Sequence, residues 1–333
     1  MQSVRIGVAG VGRLGALHAR LYREVRQTEL VGVYDQDHQR AASIVEETGS
    51  AAYDSLAGLL SDVDALSVVV PTLHHFEVAH QALAAGKHVF IEKPITNNLD
   101  EANRLIAMAR ERGLVLQVGH IERFNAAIRA LANLNLAPMF IESHRMASFD
   151  PRGTDVAVVL DLMIHDIDII LSLVDSPIVR IDASGVAVIS QEPDLANARL
   201  QFGNGCVANV TASRISLRKM RKMRLFQRDA YISVDFLQGL SEVFRLDHGG
   251  APQRSTTSRF SLGKTAGSEQ ERFILYDRLE TSEGNALRME LESFVNAIVT
   301  GTPPPVTGED GRRALEIATT ITDIIKRQVV SRL

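Results

Sequence analysis

VRIGVAGVGRLG, residues 4–15, decides how the first third of this chain is read. An apolar, strand-like run enters a glycine turn, and a helix-like run, RLGALHARLYREV (13–25), leaves it. Gly10, Gly12 and Gly15 hold the G-x-G-x-x-G spacing. In that pattern Gly10 makes the tight turn, Gly12 lets a pyrophosphate approach the backbone, and Gly15 lets the helix pack on the strand. Arg13 and Leu14 fall between them, at a helix start whose free N–H groups suit phosphate oxygens. Asp35 ends the next apolar run, twenty residues after Gly15. A carboxylate there accepts hydrogen bonds from ribose hydroxyls and repels a 2′-phosphate. The stretch therefore predicts a site for NAD rather than NADP, with Arg13 as the residue that would favour the latter. A glycine turn serving packing alone is the competing reading.

The rhythm continues outward. ELVGVYD (29–35), DALSVVVP (64–71), HVFIEKP (88–94) and LVLQVGH (114–120) read as strands. QRAASIVEETG (39–49), HFEVAHQALAAG (75–86) and NLDEANRLIAMARERG (98–113) read as helices between them. Gly49 and Gly86 are stop signals, and Asn98 with Glu101 is close to a capping box. Such alternation implies right-handed crossovers and a parallel sheet. After about residue 120 the pattern changes. A helix is expected at 123–134, a strand at 138–148 and one long helix at 154–174. Strand-like runs follow at 178–190, 196–203, 205–215, 222–226 and 230–236. The polar, Gly/Ser-rich stretch 247–272 reads as an exposed loop or arm, and 286–301 and 309–330 as helices. The fold class is α/β: an N-terminal Rossmann domain with a doubly wound parallel sheet over 1–120, then a C-terminal α+β domain with an open, largely antiparallel sheet over 121–333. Packing of a C-terminal helix back on the first domain is left open.

Bulk properties narrow the function classes. Hydrophobic residues make up 45% of the 333, enough for sizeable cores without staples. Cys206 is the only cysteine, so no intrachain disulfide forms, as suits a reducing cytoplasm. The N-terminus lacks a signal-peptide pattern. No run approaches the ~18 apolar residues of a membrane helix. A net charge of −4 gives no general pull toward nucleic acid.

Two features carry chemistry. Lys93 stands at the end of HVFIEKP, where a doubly wound sheet delivers strand ends to the ligand crevice. Pro94 fixes its own φ and restricts Lys93 to extended conformations, so the lysine is aimed. Glu92 precedes it, as its pair or as a contact for the nicotinamide end. In DLMIHDID, Asp161 and His165 are four apart and share a helix face. An imidazole takes a hydroxyl proton, and a carboxylate one turn away orients it. Met163, Ile164 and Ile167 supply apolar surroundings. The blander alternatives are a surface lysine and a core histidine satisfied by an acid. A zinc site is a poor fit, because His165, Asp166 and Asp168, or His120 and Glu122, lack the partners and spacing.

Together, the glycine turn, HVFIEKP and DLMIHDID resemble the Gfo/Idh/MocA oxidoreductases over most of the chain. The resemblance implies that Lys93 contacts the reacting sugar hydroxyl and the nicotinamide region. It implies that His165 is the acid/base and Asp161 its partner or a sugar ligand. It places Pro71, Thr72 and His75 of VPTLHH (70–75) near the nicotinamide half, makes the bond before Pro94 a candidate for cis, and gives the second domain's sheet to substrate binding and homo-oligomer formation. VGHIERFNAAIRAL (118–131) and RKMRLFQRDAYISVDF (221–236) resemble the branch that oxidises UDP-N-acetylglucosamine at C3 to a 3-keto sugar nucleotide. A following PLP aminotransferase in amino-sugar or lipopolysaccharide biosynthesis is then implied. Arg123 and Asn125 are placed to reach the sugar or its phosphates, while Ala126 stands where that branch has proline. Arg214, Arg218, Lys219, Arg221, Lys222 and Arg224 fit a diphosphate, or else a solvated face or subunit contact. An inositol or free-sugar dehydrogenase and a non-catalytic NAD-binding regulator are the rival readings.

Overall fold

The structure is a computed structural model that describes residues 3–150, 156–247, 258–264, 271–281 and 284–330. The chain divides into two units. One holds the chain up to Ile121 together with Gly284–Glu316; the other begins at Glu122 and resumes at Ile317.

The first unit grows from β1 (Val4–Ala9), in which Ile6, Val8 and Ala9 are fully buried. It continues through α1 (Arg13–Tyr22), β2 (Thr28–Tyr34), α2 (His38–Thr48), β3 (Ala51–Ala52), α3 (Leu56–Asp62) and β4 (Ala65–Val68). Then come α4 (His75–Ala84), β5 (His88–Glu92), α5 (Leu99–Glu111) and β6 (Leu116–Gly119). The strands lie in the order β3-β2-β1-β4-β5-β6, all parallel. The order reverses between β1 and β4, which is where doubly wound sheets bind ligands. Local signals set the ends. Asp37 caps α2 by accepting from Gln39 N and Arg40 N, and Gly49 closes it at φ 69°. The Asn98 side chain accepts from Glu101 N, as its position predicts. β3 and α3 were not foreseen, so HVFIEKP lies on the fifth strand rather than the fourth. A two-residue strand is too short to show a period, but Ser55 does cap α3, accepting from Gly58 N at 3.1 Å.

In the second unit a 3₁₀ turn ending at Phe124 leads to α6 (Ala126–Arg129) and β7 (Phe140–Met146). A π turn, Val159–Met163, runs into α7 (Ile164–Leu173). Eight strands follow: β8 (Ile178–Val186), β9 (Leu195–Phe202), β10 (Val207–Ser213), β11 (Met220–Phe226), β12 (Ala230–Asp235), β13 (Leu240–Leu246), β14 (Ser258–Lys264) and β15 (Glu271–Arg278). The sheet order is β14-β15-β13-β12-β11-β7-β10-β9-β8, and β7 with β10 is its parallel pair among otherwise antiparallel neighbours.

Three expectations change here. The helix expected at 123–134 shrinks to a 3₁₀ turn and one helical turn, because Asn125 caps the chain in its middle. The loop expected at 247–272 contains β14 and the start of β15, which extend the sheet; 248–257 and 265–270 lie outside the described residues. The long helix expected over 154–174 becomes the π turn followed by α7, with 154 and 155 outside the described residues.

α8 (Ala286–Thr300) is capped by Asn285 and closed by Gly301 at φ 66°. Its Leu287, Leu291, Phe294 and Val295 share one core with Ile6, Val8, Tyr22 and Phe90. Counting all of 121–333 as one domain is therefore corrected: 284–316 belong with the first unit because these side chains need that core. α9 (Gly308–Val330) begins in the first unit and ends in the second.

The second unit buries charge as well as hydrocarbon. Arg145 is 2% exposed. Its Nε and a terminal nitrogen bond Asp166 at 2.7 and 3.0 Å, and the other nitrogen bonds Glu122 at 2.7 Å. Burial works against the guanidinium charge, but the two carboxylates outweigh it and leave the Arg145 pKa raised. Arg145→Ala would take from Asp166 its arginine fork and leave Glu122 with Asn125 and Arg221 alone, and we expect a loss of about 3–5 kcal/mol in urea unfolding. A loss under about 1 kcal/mol would show that the cluster contributes little to stability.

Candidate active site

The glycine turn is built by close approach. Gly10 sits at φ 84°, and a Cβ there would come within 2.8 Å of the Val69 and Val70 backbone. A Cβ on Gly15 would fall 1.8 Å from the Gly10 carbonyl oxygen. Gly12 differs: a Cβ there would meet nothing within 4 Å, so this glycine faces open space. That space belongs to a cavity of about 800 Å³ at the switch point. Gly10, Gly12, Asp35, Asp37, Val70 and Pro71 line it, and His74, Glu77 and Gln81 of the next helical segment close its far wall. The volume suits a large organic ligand. The Asp35 carboxylate accepts from Val11 N at 2.7 Å and from Asp37 N at 2.8 Å, which ties the end of β2 to the glycine turn. Asp37 pairs with Arg40 at 3.0 Å on the same wall. An open cradle at Gly12, a helix N-terminus behind it and two carboxylates at one end fit a dinucleotide without a 2′-phosphate.

Other residues proposed from sequence stand elsewhere. Arg13 and Leu14 are exposed at the start of α1, and neither they nor Gly15 and Thr72 line the cavity. His75 as a cofactor contact is corrected. Its ring is 1% exposed and lies between two backbone carbonyls, Nδ1 2.8 Å from Pro94 O and Nε2 2.9 Å from Val70 O. Burial lowers its pKa, against the opposing pull of the two carbonyls. One position earlier, His74 takes the cavity wall, because a step of one residue at a helix start turns the side chain to another face. The Lys93–Pro94 bond is cis. Lys93 is half-buried beside Glu92, which is 8% exposed and accepts from Lys93 N at 3.3 Å. Neither Glu92 nor Lys93 lines the cavity. Sequence reasoning missed His18 altogether. It is fully buried on α1, Nδ1 2.9 Å from Ser67 Oγ and Nε2 3.2 Å from Glu92 Oε1.

In the second unit, Asp161 lies in the π turn and His165 in the first turn of α7. From 161 to 170 only Asp161, Leu162 and His165 are not buried. The π turn departs from the simple α spacing assumed for the pair, and such turns are common at functional sites. The arginine next to the expected substrate site is already engaged: Arg123 makes a bidentate pair with Asp168, both bonds 2.7 Å. Asn125 as a sugar ligand is corrected. Its oxygen accepts from Ala127 N, and its amide donates to Glu122 and to Phe236 O, so its donors are used locally. The basic run is also not one cluster. Arg214 is 5% exposed and bonds Val156 O; Arg221 faces Glu122 at 3.4 Å, Lys222 faces Asp235 at 3.2 Å and Arg224 faces Glu142 at 3.1 Å. Successive residues of a strand point to opposite faces, which divides the run. Among the described residues no group of three or more His, Cys, Asp or Glu side chains could hold a metal, and no helix is long and apolar enough to cross a membrane.

Comparison with known proteins agrees with this geometry. The oxidoreductase family with an NAD-binding Rossmann fold, GFO_IDH_MocA, matches residues 4–120, and the GFO/IDH/MocA C-terminal domain matches 126–232. UDP-N-acetylglucosamine 3-dehydrogenase of Acidithiobacillus ferrooxidans is 41% identical over 96% of both chains. This chain belongs to the Gfo/Idh/MocA oxidoreductase family. A crystal form of that A. ferrooxidans enzyme superimposes with a TM-score of 0.87, at 39% identity over 98% of this chain and 99% of the other. Myo-inositol 2-dehydrogenase of Thermotoga maritima is 27% identical over 94% of this chain and 93% of its own. The family is NAD-dependent, and the switch-point cavity has Asp35 and Asp37 on its wall, two carboxylates that would oppose an added phosphate. NADH should bind at least about tenfold more tightly than NADPH, since like charges brought together cost several kcal/mol. Fluorescence titration checks this, and Asp35→Ser should narrow the gap; equal affinities in the unaltered protein would refute the role of Asp35.

Proposed function

We propose that this protein oxidises the C3 hydroxyl of UDP-N-acetylglucosamine to a 3-keto sugar nucleotide, with NAD taking up the hydride. One observation carries the substrate: 41% identity over 96% of both chains to an enzyme of that name, against 27% for an inositol dehydrogenase. The half-buried Asp161 and His165, on a helix otherwise buried at 163, 164 and 166–170, support an acid/base role for the imidazole. His165 accepts the O3 proton as C3 gives up its hydride, and Asp161 orients the ring or holds the sugar. The Lys93 ammonium stabilises the alkoxide that develops on O3. Arg123, clamped by Asp168 and 17% exposed, is a further sugar contact in this reading.

A ketone beside an acetamido carbon is a substrate for a PLP-dependent aminotransferase, which would yield a 3-amino sugar for lipopolysaccharide-type products. The enzyme is assigned to the cytoplasm. A homo-oligomer is proposed through the open face of the large sheet. There Phe140, Phe226, Tyr231, Phe244, Tyr276 and Phe260 form a continuous aromatic row, with successive centroids 5.0–6.3 Å apart. Contiguous aromatic surface of this kind marks contact sites.

Incubation with NAD and UDP-N-acetylglucosamine, inositol or glucose, read by nicotinamide absorbance and product mass, separates the readings. Loss of two mass units from the UDP-sugar is expected. Lys93→Ala and His165→Ala should each lower turnover by about 10²-fold or more while NADH still binds. Conversion of inositol alone would move the substrate, and no conversion of any of the three by NAD-loaded protein would favour a regulator.

A further inference from the structure

Lys93 has a buried histidine on each side of it in the chain, and neither comes from its own strand. Before it, Glu92 meets His18 of α1 at 3.2 Å. After it, the carbonyl of Pro94 lies 2.8 Å from His75 of α4. Both rings are essentially without solvent, at 0% and 1% exposure. A polar ring in a core requires a partner. His75 finds one in the Pro94 carbonyl, while His18 hydrogen-bonds Ser67 and sets its other nitrogen against the Glu92 carboxylate outside hydrogen-bond geometry.

The surroundings show that both contacts are built. His18 is fixed from behind by Ser67 at 2.9 Å, and Ser67 in turn receives the Tyr22 hydroxyl at 3.5 Å. Phe90 meets the ring edge-on, at 5.4 Å between centroids. Glu92 has room for this contact only because residue 119 is glycine: a Cβ there would stand 2.9 Å from the carboxyl carbon. His75 reaches two loops at once, its other nitrogen lying 2.9 Å from the Val70 carbonyl, and Val70 lines the dinucleotide cavity. A neutral imidazole donates to one of these carbonyls, a protonated one to both.

We propose that His18 and His75 are a pair of positioning residues that clamp the Glu92–Lys93–Pro94 turn from its two ends and so aim Lys93 at the reacting end of the bound dinucleotide. His18 orients the carboxylate that accepts from Lys93 N. His75 locks the turn to the loop that forms the cavity wall, so the lysine and the cofactor share one frame. Neither ring touches substrate in this scheme. The proposal rests on Lys93 working at the reacting carbon, but not on which sugar is oxidised.

The experiment compares His18→Phe, His75→Phe and the double variant with the unaltered protein, with His18→Gln and His75→Gln as polar replacements. ADP-ribose and NADH affinities are measured by calorimetry, and kcat and KM with UDP-N-acetylglucosamine. ADP-ribose fills the cavity at the glycine turn but lacks nicotinamide, and neither altered ring lines that cavity, so its affinity should fall by less than that of NADH. NADH affinity should fall, and kcat should fall by about 10- to 100-fold with a smaller change in KM, the signature of a misplaced catalytic group. Because both rings serve one turn, the double variant should be little worse than the poorer single one. The glutamine variants should recover part of the loss. Equal losses of ADP-ribose and NADH affinity, fully additive losses, or unaltered kcat and NADH binding would each overturn the clamp. If the unaltered protein leaves UDP-N-acetylglucosamine untouched, the substrate assignment fails while the two binding measurements still decide the clamp. Should the phenylalanine variants not fold, the glutamine pair carries the same comparison.

Discussion

The approach of α1 to the turn that precedes it governs the first unit. Only a hydrogen at residue 15 lets the helix start against the Gly10 carbonyl, since a Cβ would stand 1.8 Å from that oxygen. With the helix seated there, Gly12, the residue before α1, is left facing open space and lines the cavity. Asp35 can then cross from the end of β2 to the Val11 N–H, closing the turn from the other side. The same seating places His18 one turn along α1, against Ser67 and Glu92. Steric permission at one glycine therefore reaches the dinucleotide cradle and, through α1, the carboxylate next to Lys93.

The second unit solves a different problem. α7 is almost wholly buried, yet it carries Asp166 and Asp168 on its buried side. Hydrocarbon cannot hold two carboxylates, so each is met by a fork of arginine donors, Arg145 for Asp166 and Arg123 for Asp168. These pairs are poor sources of net stability beside well-packed hydrocarbon, but they fix geometry, because a bidentate pair tolerates little rotation. Rotation of α7 is the variable that matters here, since Asp161 and His165 keep their half-exposed position only if the helix does not turn. The buried charges and the exposed pair belong to one arrangement.

Much of this was legible in the chain because it rests on local physics. Glycine spacing, the acid at Asp35, the Asn98 cap and the αL glycines at 49 and 86 need only neighbours in sequence to act. Continuous apolar strands announced the parallel sheet. What escaped was either too short to carry a period, as at β3, or interrupted by polar punctuation, as at β14. The place of α8 in the first unit was left open. Its apolar face says that it is buried, but nothing within residues 286–300 says that Val8 and Phe90 lie on the other side.

The candidate site shows the same limit more sharply. A sequence names residues with chemistry but not the side to which each one turns. His74 and His75 are adjacent and chemically alike, yet one lines the cavity and the other is sealed between two carbonyls. Arg221 and Lys222 are adjacent cations with different acidic partners, Glu122 and Asp235, because a strand alternates its faces. His18 is the extreme case. Helix α1 offers it no local polar partner, and its significance lies in Ser67 and Glu92, on strands that reach it only once the sheet is assembled. A polar ring in an apolar helix face is costly unless the fold supplies its partners. A histidine within an otherwise apolar stripe is therefore itself a signal of a distant acid or hydroxyl, and the search for that partner belongs at the strand ends of the same sheet.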